Sequence, residues 1–221
     1  DISVSVGVNK GTIKRWELLK EVPPQYYFDL CRLDGIKVDY TQYSEKEKDQ
    51  FFTNKDTARY CYDKCHKILS QWGVDLSDYT YIEPSAGDGS FYTLFPEDRR
   101  IGVDIEPKCD NVIQSDFLLW KPTTTKNICL GNPPFGLRGN LALKFINHAA
   151  TFSDFVCFVL PQLFDSEGKG SCKSRVKGLN LIHNEVIDSG FYYPDGKEVV
   201  VNVVFQIWSK HHKIEKEDIN L

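Results

Sequence analysis

The sequence predicts an α/β protein built on a doubly wound, mostly parallel sheet, with a small helical segment in front of it. Short runs rich in β-branched and aromatic residues recur at Tyr79 to Glu83, Ile101 to Ile105, Asn127 to Leu130, Phe155 to Leu160 and Val199 to Trp208. They are separated by helical lengths, the spacing of parallel strands joined by crossovers. The first run is followed at once by Gly87 and Gly89, placed where the backbone of such a fold comes closest to a ligand.

In chain order, residues 1 to 48 read as helices and a linker, and residues 49 to 221 as the main α/β domain. Residues 2 to 20 carry Ile2, Val6, Val8, Ile13 and Trp16 at packing positions, with Gly7 at a turn and Asn9 as the N-cap of a following helix. The stretch is similar to part of a helix-turn-helix whose first helix would precede Asp1. Lys10, Lys14 and Arg15 then fall near the start of a helix of the recognition type, as nucleic-acid contacts; a small helical bundle is the alternative. A short helix at Tyr26 to Leu33 and a punctuated linker come next, and Lys55 to Trp72 has helical periodicity.

A chain of 221 residues can bury a sizeable core. It has no membrane-spanning run and no signal-peptide pattern, so the expectation is a soluble, cytoplasmic protein. It opens on Asp1 and contains no methionine, as a fragment would. Seven scattered cysteines do not form a disulfide framework, and Cys61, Cys65 and His66 lack a second ligand pair at zinc spacing, so no metal is expected. A net charge of −4 rules out a uniformly basic surface. Nucleic-acid contact would therefore fall to local patches: the N-terminal one, and Lys173 with Arg175 in the stretch 168 to 178.

The chemistry concentrates at Asn132-Pro133-Pro134-Phe135, after the third strand. Asn132 has a side-chain carbonyl, and proline offers a carbonyl with no competing N–H, held in an extended backbone. Two acceptors can thus meet one planar amine, while Phe135 adds an aromatic face for an unstacked base. Glu83 ends the first strand ahead of Ser85, Ala86 and Gly87. Asp104 ends the second, where an acid can accept ribose hydroxyls, with Glu106 behind it. Asp116 and Phe117 form a third acid-aromatic pair. No Gly-Lys-Ser/Thr follows the glycines, so a nucleoside without a triphosphate is the better ligand.

The order Phe51-Phe52-Thr53, Glu83 to Phe91, Asp104, Asp116-Phe117 and Asn132 to Phe135 resembles the gamma group of S-adenosylmethionine-dependent adenine-N6 DNA methyltransferases, over roughly residues 50 to 208. The resemblance implies a Rossmann-like class I methyltransferase fold with S-adenosylmethionine as cofactor. By it, Phe51, Phe52 and Thr53 enclose the cofactor, and Glu83, Ser85, Ala86 and Gly87 line its methionine part. Asp104 holds its ribose, and Asp116 and Phe117 bind its adenine. Asn132, Pro133, Pro134 and Phe135 are the catalytic set, with Phe135 and Tyr193 stacking on the target base. DNA is the expected partner and RNA the alternative substrate. The group usually appends a separate target-recognition domain after the catalytic core, whereas this sequence ends shortly after Trp208, so recognition is expected from the N-terminal helices, a missing segment or a separate specificity subunit. The rival readings are glutamine methylation on a protein and a non-catalytic DNA-binding subunit on the same scaffold.

Overall fold

The computed structural model describes residues 1–36, 38, 39, 42, 43, 51–187 and 190–212. The chain divides into two compact units, Asp1–Lys48 and Asp49–Leu221. Much of the linker expected before Lys48 lies outside the described residues.

In the first unit, α1 (Ile2–Val6) ends on Gly7 in the left-handed conformation, and α2 (Lys10–Leu19) follows a three-residue connection, Gly7 to Asn9. Asn9 caps α2 as expected, its side chain accepting the Thr12 N–H at 2.8 Å. That bond satisfies one of the amides that every helix start leaves open. A 3-10 turn at Pro24–Tyr26 leads into α3 (Tyr27–Asp34). Trp16 is buried and stacks at a tilt on Tyr26, with ring centroids 4.8 Å apart.

The second unit carries a seven-stranded sheet: β2 (Thr80–Glu83), β3 (Arg100–Asp104), β4 (Val112–Gln114), β5 (Asn127–Gly131), β6 (Phe155–Pro161), β7 (Asn180–Ile187) and β10 (Val203–Ser209). The strand order is β4-β3-β2-β5-β6-β10-β7. The first five are parallel, and β10 runs antiparallel to both β6 and β7. β5, β6 and β10 are buried along their whole length, which explains why they read as unbroken apolar runs. A separate three-stranded sheet joins β1 (Phe52–Thr53), β8 (Phe191–Tyr192) and β9 (Glu198–Val199) in the order β1-β8-β9.

The run expected as one strand from Val199 to Trp208 is two. Glu198–Val199 pairs with Phe191–Tyr192 in the small sheet, whereas Val203–Ser209 enters the large one, and Val200 between them is 90% exposed. β-branched residues continue through the break, so periodicity alone does not reveal it.

Two helices flank the sheet's strands in sequence: α4 (Lys55–Gln71) and α5 (Asn140–Ala149). Asn54 caps α4 by accepting the Thr57 N–H at 2.8 Å. Ala58, Cys61, Cys65 and Leu69 form the buried stripe of α4 at helical spacing. The thiols are therefore packing groups: Cys65 Sγ lies 3.4 Å from Cys157 Sγ on β6, and burial pushes the Cys61 thiol well up from its ordinary value. Among the described residues, no helix is long and apolar enough to cross a membrane.

Candidate active site

The order β4-β3-β2-β5-β6 reverses direction between β2 and β5, and open parallel sheets bind ligands beyond the carboxyl ends of strands at such a switch point. The strand tips here are Glu83 on β2, Asp104 on β3 and Gly131 on β5, with Asn132 next in line. The topology thus brings together the residues singled out at Glu83, Asp104 and Asn132.

Asn132 is held from two sides. Its side-chain Nδ2 donates to Thr53 Oγ1 at 3.1 Å, and its backbone carbonyl accepts the Ser85 hydroxyl at 2.9 Å. The first bond fixes the amide so that Oδ1 is the free end, and Oδ1 is buried without a hydrogen-bond partner. A buried carbonyl without a donor costs stability, and at this strand tip it leaves an acceptor that a ligand's N–H can satisfy. The second bond occupies the Asn132 backbone carbonyl, which leaves the Pro133 carbonyl as the neighbouring acceptor. Pro133 is buried and Pro134 is half-buried.

Glu83 is 3% exposed, and its Oε2 is the other buried side-chain atom without a partner among the described residues. Burial raises its carboxyl well above the ordinary value, the Tyr92 backbone N–H opposes this, and Asp104 and Asp88 raise it further. Gly131 packs closely against it: a Cβ there would lie 3.2 Å from Glu83 Cγ, so the glutamate would have to shift to admit a side chain. Carboxyl groups crowd this corner, and a cationic ligand would favour their charged forms where a phosphate would oppose them.

Asp104 is 8% exposed, and both of its carboxylate oxygens accept backbone amides: Gly87 at 2.8 Å and Glu106 at 2.7 Å. Burial raises its pKa while these two bonds pull it down. Asp104 therefore ties the glycine turn to the tip of β3. Gly87 itself sits at φ +49°, and a Cβ on it would lie 2.9 Å from Phe52 Cε1. Only glycine permits both that conformation and that approach. Ser85 is half-buried and Ala86 is buried beside it.

The small sheet lies over this turn. Phe52 pairs with Tyr192 across β1 and β8, and the Tyr192 hydroxyl donates to Asp88, which also accepts the Ser90 amide at 3.1 Å. Sequence reasoning did not single out Asp88 or its bond to Tyr192; no spacing signals a pair 104 residues apart. Phe51 meets the Phe135 ring edge-on, with centroids 5.1 Å apart, and Phe191 edge-on at 5.9 Å. Phe135 is 8% exposed, so less of its face is open than an unpacked stacking surface would offer. Tyr193 is 38% exposed, one residue beyond the Phe52–Tyr192 pair on the side of Phe51.

Asp116 caps a 3-10 turn by accepting the Leu118 N–H at 2.9 Å. Phe117 is 1% exposed and stacks on Phe145 within a cluster that includes Trp120, His148 and Phe152. Its ring belongs to that cluster more than to an open wall. Lys10, Lys14 and Arg15 are exposed on α2, where Lys10 pairs with Asp1 at 3.1 Å. Lys173 pairs with Glu167, and Arg175 Nη1 donates to Asn140 Oδ1 at 3.4 Å, at the start of α5.

No known protein-family model matches the chain. It is 36% identical over 78 residues to the type II methyltransferase M.TthHB8I of Thermus thermophilus, a match covering 30% of this chain and 18% of that protein. The chain thus spans less than a fifth of that relative's length. Among solved structures it is similar to a protein of Pyrococcus horikoshii described as an RNA methyltransferase, with a TM-score of 0.51 and 18% identity over 70% of this chain and 84% of that one. That likeness establishes the fold, a Rossmann-like sheet of the kind methyltransferases use.

Proposed function

We propose that this chain transfers the methyl group of S-adenosylmethionine to the N6 amine of adenine in DNA, on a base turned out of the duplex. One observation carries the reading: Asn132 Oδ1 is buried, unpartnered and fixed in orientation by Thr53, at the strand tip next to the switch point. The exocyclic amine of adenine is a weak nucleophile because its lone pair is delocalised into the ring. Asn132 Oδ1 and the Pro133 carbonyl accept its two hydrogens and draw electron density back to nitrogen. As that nitrogen becomes cationic, the two carbonyls stabilise it more than they stabilise the neutral amine. A neutral amide does this without adding a titration near neutral pH. Deprotonation can follow transfer, so no general base is assigned.

The cofactor pocket fits its ligand on the same grounds. S-adenosylmethionine supplies a methyl group on a sulfonium, an electrophile that needs positioning more than acid or base. Glu83, with an unpartnered Oε2, takes its ammonium. Asp104 and the Gly87 turn set the ribose side, while Phe52 and Thr53 close over the methionine part. Asp116 and Phe117 are the residues offered to its adenine, Asp116 as acceptor and Phe117 from behind. Phe135 and Tyr193 wall the target base. The similarity to a type II methyltransferase supports DNA as the polymer. Radiolabel from the cofactor's methyl group should enter duplex DNA, and label confined to protein or to RNA would overturn the choice.

The raised carboxyl of Glu83 gives a pH signature. Below its raised pKa in the free protein, an ammonium must displace a proton to bind the carboxylate. Cofactor affinity should therefore rise with pH, by at most about tenfold per unit for one proton, until the pH passes the raised value. Glu83→Gln should flatten the slope. Calorimetry in buffers of different ionisation enthalpy should report proton release, and a flat or inverted profile in the wild type contradicts the role.

In the first unit, α2, the helix that follows the Gly7 turn, is the one assigned to meet DNA. Deleting residues 1 to 40 should weaken DNA binding and lower the slope of log K against log salt. Losing Lys10, Lys14 and Arg15 as phosphate contacts would account for about 2 to 3 units of slope. Unchanged site choice and affinity would remove the assignment.

A further inference from the structure

The segment after the catalytic tetrapeptide, Gly136-Leu137-Arg138-Gly139, is an arch. Three of its four residues, Gly136, Arg138 and Gly139, have φ of 66°, 52° and 71°. The feet are packed: a Cβ on Gly136 would lie 2.6 Å from Leu141 Cβ, and one on Gly139 would lie 3.1 Å from Leu163 Cδ1. The Phe135 carbonyl accepts the amides of Leu141 and Ala142 at 3.1 and 3.2 Å, and Cys172 Sγ donates to the Arg138 carbonyl at 3.5 Å. Arg138 is a non-glycine residue held in the left-handed region, a strain that persists only where the surroundings enforce it. This rigid base carries two side chains outward: Leu137, 47% exposed, and Arg138, also exposed. Lys173 and Arg175 lie in the segment that braces the arch through Cys172 and Asn140.

An exposed leucine is ordinary by itself. This one stands two residues from the wall of the base pocket, on a braced backbone, with exposed Arg138 next to it in the chain. We propose that Leu137 is a wedge that enters the base stack of duplex DNA in the place the target adenine vacates, and that Arg138 holds the adjoining phosphate. This rests on the reading of the chain as a duplex adenine methyltransferase. An apolar wedge fills the gap left by a turned-out base and blocks its return, and a guanidinium at the same tip fixes the backbone that must rotate. A substrate whose stack is already broken has no need of the wedge, and that difference separates it from a residue that merely supports the fold.

The test compares methyl transfer to a duplex the wild type methylates with transfer to the same duplex carrying an abasic site opposite the target adenine. Leu137→Ala should lower kcat/KM at least tenfold on the intact duplex and less than twofold on the abasic one. Leu137→Gln should behave the same way, and unchanged cofactor affinity in both variants shows that they are folded. Arg138→Gln should lower the salt slope of duplex binding by about 0.9, the value of one phosphate contact. Equal loss on the two substrates, or no loss on either, overturns the wedge while leaving the methyltransferase reading intact. A wild type that methylates no duplex at all overturns both.

Discussion

Asn132→Ala should lower methyl transfer by roughly a hundredfold to a thousandfold, the effect of removing one polar group that stabilises developing charge. Cofactor affinity should stay within about twofold, because the Asn132 amide is tied to Thr53 and its free oxygen is the group proposed for the target amine. Single-turnover transfer and calorimetry on the same preparation separate the two quantities. Thr53→Val keeps the size of the side chain but removes the acceptor that orients the amide. It should cost about tenfold in kcat with little change in KM, and Thr53→Ser should recover most of the loss. Full turnover by Asn132→Ala would remove the acceptor role.

Asp104→Ala should weaken cofactor binding at least tenfold and destabilise the fold. The substitution strands the Gly87 and Glu106 amides, each of which loses a bond to a charged acceptor worth about 1.5–3 kcal/mol. The glycine turn then loses its tie to the tip of β3, so binding falls even where the protein remains folded. Asp104→Asn retains one acceptor and should be intermediate in both effects. An unchanged dissociation constant in Asp104→Ala would show that the turn holds its shape without the carboxylate.

The parallel strands were the most legible part of the molecule. Thr80–Glu83, Arg100–Asp104, Asn127–Gly131 and Phe155–Pro161 fall within a residue of the expected runs, because strands covered on both faces must be apolar throughout. Asn180–Ile187 was missed: it is a sheet edge, carries His183, Asn184 and Glu185, and is only partly buried. Its polar side chains are the kind that loops carry. Val112–Gln114 is too short to show a period, and α5 begins directly after the arch without a side-chain cap.

In the site, the residue types of the strand tips were readable, since an acid or an amide after an apolar run has few structural uses. Their partners were not. The tie from Thr53 to Asn132 spans 79 residues, and the one from Asp104 to Gly87 runs between adjacent strands. Such bonds exist only once the sheet is assembled. Phe117 is a different case: an aromatic beside an acid reads as a ligand wall, and the fold adds what spacing does not show, a ring stacked on Phe145. One-dimensional spacing does not tell which side of a turn a ring will take.

The central claim is that Asn132 Oδ1 waits for a planar amine, and that the amine is N6 of adenine in DNA. The direct measurement is to incubate the protein with isotopically labelled S-adenosylmethionine and unmethylated duplex DNA, RNA and protein extract, each digested afterwards and resolved by mass spectrometry. Labelled N6-methyladenine in the DNA digest, lost with Asn132→Ala, is the expected result. Label on glutamine, on RNA adenine alone or on no substrate would contradict it.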